Sequence, residues 1–128
     1  MTSKPSGAGK TVDQNSNVSY KGQTFQLSES PDFSEWLGSL RDRRARARIV
    51  VRLERLADGN FGDSKSVKDG VFELRVDYGP GYRVYFFQRG KELVILLCGG
   101  DKRTQKADIA SAKRLKEEIE RTDGTSSI

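Results

Sequence analysis

The chain has 128 residues, 23 Lys and Arg against 18 Asp and Glu for a formal charge of +5, and no histidine. That length suits one domain with a single core. No stretch approaches the roughly 18 apolar residues of a membrane span, and the missing histidine excludes His-activated nucleophiles, His-containing zinc sites and His acid/base pairs.

Residues 1–18, MTSKPSGAGKTVDQNSNV, hold almost nothing to bury and read as a disordered tail, followed by a domain at 19–123 and a flexible C-terminus at 124–128. GAGKT at 7–11 looks like the end of a phosphate-binding loop. The motif needs a glycine where Lys4 stands and a preceding strand, so it carries no nucleotide site.

Order is expected from about Tyr20. The alternation of Thr24, Phe25, Gln26 and Leu27 predicts a first strand, after which Ser30 and Pro31 supply an N-cap and a first helical position. A helix over 31–40 then aligns Phe33, Trp36, Leu37 and Leu40. Asp42 caps a second helix, RRARARIVVRLERLAD, that stops at Gly59 and Asn60. Its apolar stripe is Ala45, Ile49, Val50, Leu53, Leu56 and Ala57, and Arg44, Arg48, Arg52 and Arg55 run along the opposite side. Like charges four apart on a helix repel by roughly 0.2–0.5 kcal/mol per pair. A polyanion or an acidic partner would explain such a stripe, and so would a solvated face softened by Glu54 and Asp58.

From Gly70 the period becomes two. GVFELRVDY sets Phe72, Leu74, Val76 and Tyr78 against Glu73, Arg75 and Asp77. YGPG leads to a second strand, YRVYFFQ, and Arg89-Gly90-Lys91 turns into ELVILLC, whose nearly continuous apolar run predicts a buried central strand. Cys98 in that run reads as a small buried hydrophobe; as the one cysteine it forms no disulfide within the chain, consistent with a reducing, cytoplasmic setting. Gly99 and Gly100 read as a hinge carrying Lys102 and Arg103, before a last helix with Ile109, Ala112, Leu115 and Ile119 on one face, Thr104 as cap and Gly124 beyond its end. The expected fold is α+β, in the order β-α-α-β-β-β-α, with helices packed on a small, mainly antiparallel sheet.

The start FSEWL, then LERLADGNFGDSKSV, ELR, GYRVYF and LLCGGDKRTQKADI, together with the element order, resemble the RelE/ParE superfamily of type II toxin–antitoxin toxins, and more closely its HigB-like addiction-module killer branch. The resemblance covers about residues 20–121. It implies a toxin, an mRNA endoribonuclease acting on the ribosome without metal or other cofactor, held by a cognate antitoxin that in this branch is commonly a small helix-turn-helix protein. The alternatives are a ParE-like inhibitor of DNA gyrase and a non-catalytic nucleic-acid-binding homologue.

Carried over by position, the resemblance implies phosphate-stabilising cations at Arg75, Arg83 and Arg103, with Lys102 beside the last, and Glu73 where RelE-type toxins have a lysine base. Lys65 and Lys68 join Arg44, Arg48 and Arg52 as expected RNA contacts. The family's base-stacking tyrosine aligns with Ile109, leaving Tyr82 or Tyr85 as substitutes. One geometric expectation is independent of the resemblance. A four-residue turn at YGPG would set Arg83 on the opposite face from Arg75, whereas an odd-length turn or bulge, made easy by Gly79, Pro80 and Gly81, brings it across.

Overall fold

The computed structural model describes residues 24–127, with side chains placed through position 122, so the tail expected at 1–18 lies outside the described residues. The elements are β1 (Gln26–Glu29), α1 (Pro31–Ser39), α2 (Arg43–Ala57), β2 (Ser64–Ser66), β3 (Phe72–Val76), β4 (Tyr82–Arg89), β5 (Leu93–Asp101), a 3-10 turn (Lys102–Thr104) and α3 (Gln105–Ser127). The expected α+β order holds, with one added strand, β2. Its Ser-Lys-Ser sequence is too short and polar to show a period, and it forms because it completes the hydrogen bonds of an exposed β3 edge.

Local chemistry sets the helix boundaries. The Ser30 hydroxyl accepts from the Phe33 N–H, and Pro31 opens α1. The Asp42 carboxylate accepts from the N–H groups of Arg44 and Ala45 to start α2. At its end the N–H groups of Gly59 and Asn60 return to the carbonyls of Leu56 and Arg55. The last helix differs from expectation at both ends. Asp101 rather than Thr104 is the cap, in a box whose other half is Thr104, and α3 runs through Gly124 instead of stopping before it.

The sheet order is β1-β5-β4-β3-β2, antiparallel except for the parallel pair β1 and β5. Helices cover both faces. On one, Phe33 and Leu37 of α1 and Ile49, Leu53 and Leu56 of α2 pack on Leu74, Val84, Phe86 and Leu96. On the other, Ile109, Ala112, Leu115 and Ile119 of α3 pack on Val71, Tyr85, Phe87 and Leu97. Double coverage accounts for the apolar run of β5.

A bulge between β4 and β5 places Tyr85 opposite Cys98 but Phe86 opposite Leu96, leaving Leu97 as the extra residue. The Ser30 hydroxyl donates to the bulged Leu97 carbonyl at 2.7 Å, so the same side chain caps α1 and ties it to the sheet. Beyond the bulge, Gly99 and Gly100 are not a hinge: β5 continues through both to Asp101. Their role is close approach. A Cβ on Gly99 would fall within the Trp36 ring of α1, and one on Gly100 would fall on the Asp108 carboxylate of α3, so the two helices close on opposite faces of one strand.

Candidate anion-binding cleft

The turn between β3 and β4 decides the site. Val76 pairs with Tyr82, leaving the five residues 77–81 as the loop, an odd number, and Arg75 pairs directly with Arg83. Gly79 and Gly81 sit at φ of +56° and +83°, conformations that residues with a Cβ rarely adopt. The expected crossing of Arg83 to the face of Arg75 is therefore observed, by loop length.

Like charges opposite each other in a sheet repel, and each arginine has its own counterweight. Arg75 binds Asp63, with Nη2 at 3.0 Å and Nε at 3.2 Å from Oδ1. Arg83, only 11% exposed, donates from Nη1 to the carbonyls of Gly81 and Tyr82, and its Nε lies 3.9 Å from the Glu73 carboxylate. Together with Asp77, Lys102 and the Gly79–Gly81 turn, these residues line an open cleft of about 350 Å³.

Glu73 is fully buried beneath this cleft. Its Oε2 accepts from the Tyr85 hydroxyl at 3.0 Å and from Gln105 Nε2 at 2.6 Å, while its Oε1 and the Arg83 Nε are buried without a hydrogen-bond partner among the described residues. Burial, then the neighbouring carboxylate, pushes the Tyr85 phenol far above its ordinary range, so it stays protonated and donates. Glu73 lies behind Arg83 rather than on the open surface, with Gln105 of α3 bonded to its Oε2.

The other expected residues separate. Lys102 lines the cleft, whereas Arg103 is 80% exposed and bound to its own neighbour Asp101, with Nη2 2.9 Å from Oδ2. That contact holds the Asp101 carboxyl below the usual range. Lys65, exposed on β2, pairs with Glu73 and so sits on the cleft's face of the sheet, one residue along from Ser64. Lys68 occupies the far turn of the β2–β3 hairpin at φ +81°, at the opposite end from Asp63 and Arg75.

Neither tyrosine lines the cleft. Tyr85 is fully buried, and Tyr82 packs edge-on against Trp36 at 6.3 Å on the other face. Ile109 is half-buried and packs against the core under α3. Arg44, Arg48 and Arg52 lie on α2, across the sheet from Glu73. Arg52 is structural in part, donating from Nη1 to the Arg75 carbonyl at 2.6 Å.

Sequence reasoning missed Asp63 and Gln105. Asp63 precedes a strand without a readable period, and Gln105 stands among polar residues in the first turn of the last helix, where spacing marks no special role. Among the described residues, no three His, Cys, Asp or Glu side chains gather as a metal cage, and no helix is long and apolar enough to cross a membrane.

Comparison with known proteins covers the same region. The family described as "Phage derived protein Gp49-like (DUF891)" matches residues 35–120, which include every residue lining the cleft. An uncharacterized protein from Haemophilus influenzae is 54% identical over 96 residues, 75% of this chain and 97% of its own length.

Proposed function

Because the chain belongs to the Gp49-like family of phage-derived proteins, the addiction-module, RelE-like toxin group, we propose that it is the toxin of a type II toxin–antitoxin module and cuts mRNA on the ribosome. Its partner on this reading is an antitoxin, a small helix-turn-helix protein if the HigB-like resemblance holds, and its setting is the cytoplasm. The observation that carries the reading is the convergence of Arg75, Arg83 and Lys102 on one cleft, with Arg83 held from behind by a buried carboxylate.

The chemistry asked of the cleft is transfer within the RNA. The ribose 2′-oxygen bonds to the adjacent phosphorus, the bond to the 5′-oxygen breaks, and a 2′,3′-cyclic phosphate is left. Arg83 and Arg75 stabilise the extra negative charge of the phosphorane in a partly desolvated site. The exposed Arg75–Asp63 pair is worth only about 0–1 kcal/mol, so a phosphate displaces it readily. Asp77, which has no ion-pair partner among the described residues, takes the 2′-OH proton, and Lys102 gives one to the leaving oxygen. No step calls for a metal or cofactor. Arg103 and Lys65 extend the cationic track on either side.

Growth arrest on expression, with new mRNA 5′ ends on ribosomes, is the expected result. Arg83→Ala should lower cleavage by about 10²–10³-fold and abolish arrest. A specific observation favours a second reading: Ile109 packs half-buried against the core and Glu73 is fully buried, so neither of these two positions presents a free base or an aromatic ring to the cleft. Arrest without new 5′ ends, accompanied by collapse of DNA supercoiling, would replace the nuclease by a ParE-like gyrase inhibitor.

A further inference from the structure

A second cationic surface, apart from the cleft's chemistry, lies on the outer side of α2. Arg44, Ala47, Arg48, Val51 and Arg55 line an open groove of about 520 Å³ walled by Val76. Their spacing is three and four, so they form one stripe about 16 Å long on the side of α2 away from its core residues. Val51, at 44% exposure, is the large apolar side chain left exposed among the described residues.

The arginines around it are unneutralised. Among the described residues, none of Arg44, Arg48 and Arg55 forms an ion pair, and Arg48 is held only by stacking 4.6 Å over the Tyr78 ring. Adjacent like charges of this kind weaken a helix. Inside the molecule this side is tied down, among the described residues, only by that stacking and by Arg52, whose two donors go to the carbonyls of Arg75 and Phe61.

We propose that this groove docks an acidic amphipathic helix of a partner protein, with carboxylates on Arg44, Arg48 and Arg55 and an apolar side chain over Ala47 and Val51. Three other occupants fit less well. A second copy of the chain, packed about a two-fold axis, would set arginines against arginines. The chain's first 23 residues carry Lys4, Lys10 and Lys21 against a single acid, Asp13, and so have the wrong sign. A nucleic-acid backbone would meet the arginines but has no apolar group to cover Val51, whereas an apolar centre ringed by charges is the usual anatomy of helix-in-groove recognition. Asp77 lines both the groove and the cleft, so a helix docked here lies against the mouth of the cleft.

The proposal stands on the groove and does not depend on RNA cleavage. Its test is selection of a randomised helical-peptide library against the full chain. Binders should carry acidic residues at three- and four-residue spacing around an apolar row and should shift the backbone amides of α2. Val51→Asp, at an exposed position that leaves the core intact, should weaken them by about tenfold or more. Arg48→Glu should do the same, and a Glu→Lys change in the peptide should restore binding. Binders indifferent to Val51→Asp, binders without acidic residues, or no enrichment at all would overturn the proposal. So would a 12-nucleotide single-stranded RNA that shifts the same α2 amides and competes with the peptides.

Discussion

Glu73 carries the sharpest lesson at the scale of single residues. In GVFELRVDY it alternates with apolar neighbours and so shares a face with Arg75 and Asp77, yet α3 covers Glu73 and leaves Arg75 open. Strand periodicity says which side chains share a face; it does not say which part of that face is wet. The buried carboxylate is a positioning group for Arg83, with Tyr85 and Gln105 fixing its orientation. Tyr85→Phe removes one donor from a buried charge and should cost about 1–3 kcal/mol, read as a lower urea midpoint at unchanged slope. Glu73→Gln keeps the shape but not the charge behind Arg83. It should retain the fold by circular dichroism while growth arrest weakens; full arrest would show that Arg83 needs no such support. Cys98 shows the opposite case, a residue whose bland reading holds: burial raises its thiol to about 12, which keeps it out of the chemistry at neutral pH.

The elements legible in the sequence were those with long, strong periods. The stripe of α2, the caps at Ser30 and Asp42, and the three strands after Gly70 all follow from spacing and local hydrogen bonding. What the sequence left hidden are features made by tertiary contact: β2, paired only because β3 has an edge, and the glycine pair, read as a hinge although the strand passes straight through it. Gly99 admits Trp36, so Gly99→Ala should cost roughly 1–3 kcal/mol through overpacking. Trp36→Ala in the same chain should absorb much of that loss, a coupling visible in a double-mutant cycle. The cap before α3 should respond to acid. Asp101 has a folded-state pKa below its unfolded value, so its contribution is present above the ordinary carboxylate range and is lost as pH falls through the depressed value. Amide exchange at Arg103, whose N–H donates to Asp101 at 2.8 Å, should quicken over that acid window.

At the scale of the whole molecule, cationic side chains of the described residues gather on two surfaces. One cationic surface is the cleft of Arg75, Arg83 and Lys102, the other is the α2 groove, and Asp77 stands between them. If the cleft binds single-stranded RNA through three phosphates, log K against log salt should fall with a slope near −2, at about −0.7 per phosphate. Lys102→Ala should flatten it by about one phosphate's worth. A slope near zero would show that the cleft does not neutralise a phosphate backbone.

The edge pairing of β1 with β5 has a consequence for how the protein comes into being. Ser30, next to the first strand of the sheet, bonds to Leu97 in the last, 67 residues away. Contacts of such long sequence separation close late and slowly. During synthesis β1 has no strand to pair with, among the described residues, until β5 emerges, and Glu73 lacks its Gln105 contact until α3 follows. The cationic cleft is consequently assembled among the final steps of folding. A growing chain carries Arg75 and Arg83 before it carries the strand and helix that complete the site around them.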